Sequence, residues 1–137
     1  MTKQSDMAEK ILTSIEANHK WFNMDEFVYF DDDAQIVTPN EPICGTTLCV
    51  AGFAAYLSGW TTSRTGSSRI GSYCVKGALE DRISNVASEA LDIGIVGPEL
   101  YFTNEDIALA VLKRMAAGEV YTDQMVRDER ETWYKTK

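Results

Sequence analysis

The sequence predicts a mainly α-helical fold, a single-domain helical bundle around a central apolar helix at about residues 46–58. Apolar residues recur at helical spacing in several segments, and capping residues and glycines bracket those segments. The segment 46–58 has no charged residue, and a helix that is apolar on every side belongs in the centre of a fold. Gly59 follows it, where a helix end favours glycine. The length of 137 residues predicts one helical domain over 1–137.

The first predicted helix covers residues 5–18. Its apolar residues fall on one side at helical spacing, and Ser5 or Asp6 can cap its first turn. The central helix follows a segment rich in aromatic residues, and Thr46 or Thr47 can cap it. Small residues fill much of this helix, which favours close approach of its neighbours.

Residues 60–77 differ from the rest of the chain, because serine, threonine and glycine dominate them and their charged residues are all basic. This composition predicts a mobile loop, with one small β-hairpin near residues 69–76. The cations Arg64, Arg69 and Lys76 leave two interpretations open. The segment is either a solvated loop or a loop that grips an anion or an acidic partner.

Three further helices follow this segment. A long helix is predicted at 78–92, with Leu79 on its buried stripe. The next helix begins at the capping hydroxyl of Thr103 and stops at Gly118. The last helix, at about 122–134, has few apolar residues. It therefore packs only in part or contacts another chain, and self-association through this C-terminal helix is one expectation.

The chain is acidic. It has 21 aspartates and glutamates against 13 lysines and arginines, and its net charge is −8. This charge argues against a nucleic-acid backbone or an anionic membrane as the partner. It fits a protein that is acidic for solubility, or one that docks on a basic surface, of which DNA mimicry is the extreme case.

The cysteines and the start of the chain favour the cytoplasm. Three cysteines without an apolar leader segment are typical of free thiols in a reducing cytosol. The longest apolar run, residues 48–57, is shorter than the roughly 20 residues that cross a bilayer. We therefore expect a cytoplasmic protein with no membrane partner.

Cys44 is the first candidate for chemistry. It stands just before the central helix, where free backbone N–H groups and the helix dipole stabilise a thiolate. The chain has one histidine, so a cysteine-dependent enzyme would pair Cys44 with His19. The sequence after Cys44-Gly45 does not continue the signature of papain-like enzymes, and a packed, inert thiol is the alternative. Cys44 and His19 are therefore candidates without a catalytic assignment.

A zinc site is the second candidate. Its donors would be Cys44, Cys49, Cys74 and His19. The spacing of the first two cysteines differs from a tight zinc knuckle, and Cys49 lies inside the predicted apolar helix. These observations favour core thiols, and we predict no metal and no cofactor.

An anion site at the start of the central helix is the third candidate. Gly45, Thr46 and Thr47 have small side chains, and a helix start presents free N–H groups to an anion. The P-loop lysine and the glycine-rich run of nucleotide-binding loops are absent from this stretch. The two threonines can equally serve as helix caps.

The stretch that holds these candidates also marks a resemblance. It reads Cys44-Gly45-Thr46-Thr47-Leu48-Cys49-Val50-Ala51-Gly52-Phe53. This stretch resembles the Cys-Gly-Thr-x-x-Cys-x-Ala-Gly motif of small uncharacterised actinobacteriophage-type proteins. The similarity extends over residues 8–118, with related patterns at 19–27, 87–94 and 100–102. The chain departs from the family at the inserted Tyr101, and its C-terminal helix has no counterpart there.

The resemblance implies a cytosolic, phage-encoded accessory protein that binds a host macromolecule, such as a host-defence or host-takeover factor. Because no catalytic constellation stands out, we expect a non-enzymatic protein with a host protein as its partner. The expected contact surface is the basic loop 60–77 with Arg64, Arg69 and Lys76, the aromatic patch 21–30 with Trp21 and Phe22, or the last helix. The alternatives are a cysteine-dependent enzyme and a small anion- or ligand-binding module.

Overall fold

The computed structural model of this protein describes residues 2–17, 19–24, 28–29, 36–37, 47–63, 70–71, 73–94 and 98–136. Within these ranges it has five α-helices: α1 Lys3–Ala17, α2 Val50–Leu57, α3 Ile83–Ala90, α4 Glu105–Ala116 and α5 Asp123–Lys135. Two short 3₁₀-helical turns cover His19–Trp21 and Glu99–Phe102. The prediction of a mainly α fold is confirmed.

Seven short strands form two small antiparallel sheets within the described residues. The strands are β1 Val28–Tyr29, β2 Ile36–Val37, β3 Thr47–Leu48, β4 Thr61–Ser63, β5 Ile70–Gly71, β6 Tyr73–Lys76 and β7 Leu79–Arg82. One sheet has the strand order β3-β1-β5, and the other has the order β2-β4-β6-β7. Since each strand has only two to four residues, the helices supply most of the core.

Helix α2 lies in the centre of the core, as the absence of charge predicts. All its residues from Val50 to Ala55 are buried, and it packs against α1 and α3, while α4 packs against α1 and α5. Small residues such as Ala51 and Gly52 allow close approach of the neighbours. Phe53 is fully buried, and burial of a side chain of this size contributes about 1.5–3 kcal/mol.

The central helix begins later than predicted. Thr47–Leu48 is strand β3, which pairs with β1, so the prediction of Thr47 as a helix cap is wrong. Cys49 is the N-cap instead, and its side chain makes no capping hydrogen bond. Leu48 is fully buried, and a β-branched residue followed by a buried leucine suits a short strand as well as a helix start. Thr46 lies outside the described residues.

The basic segment 60–77 is not a single loop, because strands β4, β5 and β6 fall within it. The hairpin predicted near 69–76 is displaced: β5 pairs with β1, and the hairpin joins β6 to β7. Gly77 has a φ of +62° in the two-residue turn of this hairpin. A two-residue turn favours glycine at that first central position. Residues 64–69 and 72 lie outside the described part of the chain.

The third predicted helix, 78–92, is too long at its start, because Leu79–Arg82 forms β7 and α3 begins at Ile83. Leu79 is consequently 64% exposed rather than buried. The spacing of Leu79 and Ile83 fits a helical stripe, but hydrogen bonding to β6 across a tight turn overrides that periodicity.

The remaining helix starts differ from the predictions by one or two residues. Helix α1 begins at Lys3 because Thr2 and Ser5 cap it reciprocally: the Ser5 N–H donates to Oγ1 of Thr2 at 3.0 Å, and the Thr2 N–H donates to Oγ of Ser5 at 3.0 Å. Helix α4 is capped by Asn104, whose Oδ1 accepts from the Ile107 N–H at 2.9 Å. Both caps satisfy backbone donors that a helix start leaves without an intrahelical partner.

A buried polar cluster fastens α1 and α5 to the second 3₁₀ turn. The N–H of Tyr121 donates to Oε1 of Gln4 at 2.8 Å. The Tyr121 hydroxyl accepts from the Leu100 N–H at 3.1 Å and donates to Oδ1 of Asp123 at 2.7 Å. Asp123 also accepts from the Glu99 N–H at 3.0 Å. Burial raises the pKa of Tyr121. We name these five residues the Tyr121 cluster.

Candidate functional site

The predicted cysteine and anion sites are only partly described. Residues 44–46 lie outside the described residues, so the pairing of Cys44 with His19 stays a prediction. His19 lies exposed in the first 3₁₀ turn, and its ring packs edge-on against Phe22 with 6.3 Å between the centroids. Thr47 lies in β3 and not in the first turn of α2. Of the predicted anion-site residues, the described one, Thr47, therefore belongs to a strand that precedes the helix.

The other two cysteines are core residues. Cys49 and Cys74 are buried and form no disulfide, and the Cys74 thiol donates a weak hydrogen bond to the Asp81 carbonyl at 3.7 Å. Burial, with the neighbouring Asp81 charge, raises the pKa of Cys74 to about 11. Among the described residues, no three His, Cys, Asp or Glu side chains cluster as a metal site would require. Cys49 and Cys74 thus fill space as small apolar groups.

The two predicted aromatic contact residues, Trp21 and Phe22, differ in burial. Phe22 is buried and packs against Phe53 with 6.3 Å between the ring centroids. It therefore offers no contact surface, and this part of the prediction needs correction. Trp21 is half-buried at the edge of the core. Arg64 and Arg69 lie outside the described residues.

Lys76, the remaining predicted contact residue, lies on a groove of about 380 Å³. The groove is formed where the start of α1, the end of α2, the β6–β7 hairpin and α3 meet. Its lining residues are Lys3, Ser58, Trp60, Lys76, Leu79, Val86, Glu89 and Ala90. We name it the Trp60 groove. Its size falls within the range of small binding sites.

The end of α2 positions Ser58 and Trp60 on one side of the groove. Gly59 has a φ of +89°, its N–H donates to the Tyr56 carbonyl at 3.3 Å, and the Trp60 N–H donates to the Ala55 carbonyl at 3.1 Å. This pair of bonds is the Schellman arrangement, which ends a helix at a glycine. It directs the chain from the central helix into β4 with Trp60 at the corner. The prediction of Gly59 as the helix stop is confirmed.

The β6–β7 hairpin supplies the opposite side. Lys76 pairs with Leu79 across the turn, and the Lys76 ammonium donates to the Ser58 carbonyl at 3.1 Å. Ser58 is the C-cap of α2, where the helix dipole favours a cation. Lys76 is therefore held in place over the helix end while its side chain stays exposed.

The floor of the groove is apolar. Val86 and Ala90 of α3 are buried, and they line the groove together with Leu79, which is 64% exposed. Trp60 is half-buried and packs against the core. Leu79 and Trp60 were not expected here from the sequence. Gly77, in the turn before Leu79, is the sequence signal that identifies the hairpin and hence exposes Leu79.

A second, shallower groove of about 460 Å³ follows the outer side of α1 and reaches the end of α2. Its lining residues are Asp6, Glu9, Lys10, Thr13, Ser14 and Leu57. Charges of both signs lie on its surface, and the residues from α1 that face it are mostly exposed. This mixture is typical of a solvated helix face.

No protein-family model, curated protein or solved structure matches this chain. The resemblance to actinobacteriophage-type proteins therefore depends on the motif residues alone. Of these residues, Cys49, Ala51 and Gly52 are buried in or beside α2, so the described part of the motif serves the core. Within the described ranges, no helix is long and apolar enough to cross a membrane.

Proposed function

We propose that this protein is a non-enzymatic accessory protein that acts by binding another protein, and that the Trp60 groove is part of its contact surface. The supporting observation is the groove itself, which combines an exposed leucine, a half-buried tryptophan and a fixed lysine. Interfaces concentrate their binding energy on such aromatic and apolar anchors beside polar groups. Exposed apolar side chains over a concave surface are typical of interaction sites.

The motif resemblance supports a phage-type context for this activity. In that context the partner is a host protein, and the place of action is the cytosol of the host cell. The C-terminal helix is a weaker candidate surface, because its exposed face carries Arg127, Asp128 and Glu131 with Tyr134 as its exposed aromatic residue. Such a charged face does not favour self-association through α5.

Affinity capture from host lysate tests the proposal when a matched pair of variants is compared. Leu79→Asp places a charge in the groove, whereas Val120→Asp makes a similar change at a 75% exposed valine outside it. We expect Leu79→Asp to lower recovery of a captured protein about tenfold or more, because an interface anchor contributes at least about 1–2 kcal/mol. Val120→Asp should retain recovery.

Both substitutions lie on exposed side chains, so each variant should keep the unfolding midpoint of the wild type. Equal recovery with both variants would remove the groove from the contact surface. Recovery of no specific protein by the wild type would argue against the binding function itself.

A further inference from the structure

We propose that the Trp60 groove binds an acidic peptide segment of its partner, one that places an apolar side chain beside Leu79 and carboxylates beside Lys3 and Lys76. This inference rests on the proposed function and adds the chemistry of the ligand. It follows from the charge of the groove, the fixed position of Lys76 and the apolar floor.

The charge of the groove is opposite to that of the protein. The whole chain has a net charge of −8, yet the groove is lined by Lys3 and Lys76 against Glu89 alone. Among the described residues, neither lysine has a carboxylate within salt-bridge distance. Within the described part of the chain, the two cations are therefore available for a carboxylate from outside, and electrostatic complementarity selects an acidic ligand.

Lys76 is prepared for this role. A lysine ammonium has three N–H donors, and the structure uses one of them to bind the Ser58 carbonyl at 3.1 Å. That bond fixes the end of a side chain that would otherwise lose conformational freedom on binding. A carboxylate that binds Lys76 thus meets a cation whose position is already set, which lowers the entropic cost of association.

Lys3 lies where the fold itself gains little from a cation. It occupies the first turn of α1, and the dipole of a helix disfavours positive charge near its N-terminus. A ligand carboxylate would be stabilised by Lys3 and by the helix end together. Lys3 and Lys76 belong to α1 and β6, so a single ligand would contact two elements that are distant in the sequence.

The apolar floor of the Trp60 groove indicates that the ligand contains an apolar side chain. The exposed Leu79 and the half-buried Trp60 line the groove together with the buried Val86 and Ala90. An apolar side chain placed here would cover Leu79 and gain the usual contribution of buried apolar surface. A purely ionic ligand would leave this surface in water, which is why the inferred segment combines an apolar residue with acidic ones.

Pairing of a ligand strand with the neighbouring sheet edge is a weaker alternative to binding in the groove. Strand β7 is at the end of its sheet and its four residues are exposed. However, Glu80, Asp81 and Arg82 are charged, and Oδ1 of Asp81 already accepts from the Arg82 N–H at 2.7 Å. Charged residues and an occupied N–H protect a sheet edge from pairing.

Selection from a random peptide library displayed on yeast tests the inference with the full-length protein. We expect the enriched peptides to have an excess of aspartate and glutamate around one large apolar residue, and their binding to weaken as salt increases. Lys3→Gln and Lys76→Gln should each weaken binding of the enriched peptides about two- to fivefold. Lys3 and Lys76 are both exposed, so each variant should keep the unfolding midpoint of the wild type.

Lys113→Gln is the matched control, because Lys113 is exposed on α4 and lies outside the groove. It should leave peptide binding unchanged. Enrichment of neutral or basic peptides, a failure to enrich any peptide, or equal effects of all three lysine substitutions would overturn the acidic-peptide inference. The capture experiment with Leu79→Asp asks only whether the groove contacts a partner and does not depend on which peptides the library enriches, so it can uphold the proposed function when the library result overturns the ligand chemistry.

Discussion

The Tyr121 cluster and the Trp60 groove both join polar groups to apolar side chains, but only the first is closed. In the Tyr121 cluster, the tyrosine N–H and hydroxyl and the carboxylate of Asp123 all have hydrogen-bond partners inside the protein. In the groove, Leu79 stays exposed and Lys3 has no described acidic partner. The difference indicates that the first region serves stability and leaves the second free for recognition.

The two leucines of these regions give the largest expected contrast. Leu100 is a fully buried member of the Tyr121 cluster, and Leu79 is exposed in the groove. Leu100→Ala should lower the free energy of unfolding by about 2–5 kcal/mol, because it removes buried apolar contacts and leaves a cavity. Leu79→Ala should change it by less than about 0.5 kcal/mol. Urea unfolding measures both, and similar losses would contradict the assignment of open and closed regions.

A matched pair of tyrosine-to-phenylalanine substitutions tests the contribution of a single hydroxyl group to the Tyr121 cluster. Tyr121→Phe removes the hydroxyl that accepts from the Leu100 N–H and donates to Asp123. A buried donor left without a partner costs about 1–3 kcal/mol, so we expect a loss of that size. Tyr134→Phe, the same change at a 66% exposed position, should have almost no effect. Equal stability of the two variants would show that the cluster contributes little.

Cys74 of strand β6 tests whether the sheet that contains the hairpin excludes solvent. Its folded pKa of about 11 lies above the ordinary value of 9.0. At pH 8 we therefore expect its reaction with a thiol reagent to be about a hundredfold slower than that of a model thiol, as read by peptide mapping. Fast labelling in the native protein would contradict this.

The raised pKa of Cys74 also sets the direction in which the free energy of unfolding changes with pH. Because the unfolded thiol ionises first, the stabilisation linked to Cys74 is fully present below pH 9. It is lost as the pH rises from 9 through about 11. A Cys74→Ala variant should lack this alkaline loss, and unfolding curves across that pH range compare the two proteins.

Local signals predicted the helices well and the strands poorly. The starts of α1, α4 and α5 lie close to the predicted ones because capping residues and helical spacing act within one turn. Strands β1, β2 and β3 have two residues each, which is too short for an alternating pattern to show. Leu79 fits a helical stripe with Ile83, and only the turn at Gly77 distinguishes the strand from that alternative.

Of the residues that line the Trp60 groove, Lys76 is the one that the sequence predicted as a contact residue. Lys76 stood out because it is a cation in an acidic chain. Lys3, Trp60 and Leu79 join it only because the hairpin folds back over the end of α2 and α1 begins nearby. Such a juxtaposition depends on contacts between distant segments, and neither periodicity nor composition reports them.

The bond between Tyr121 and Gln4 spans 117 positions of the chain, and this has a consequence for synthesis on the ribosome. Helix α1 emerges first, but the partners that bury its stripe and satisfy Gln4 belong to α4 and to the segment before α5. The apolar side of α1 therefore stays exposed until α4 and the segment before α5 have been synthesised. During that interval the uncovered apolar side exposes a nascent chain of this protein to aggregation.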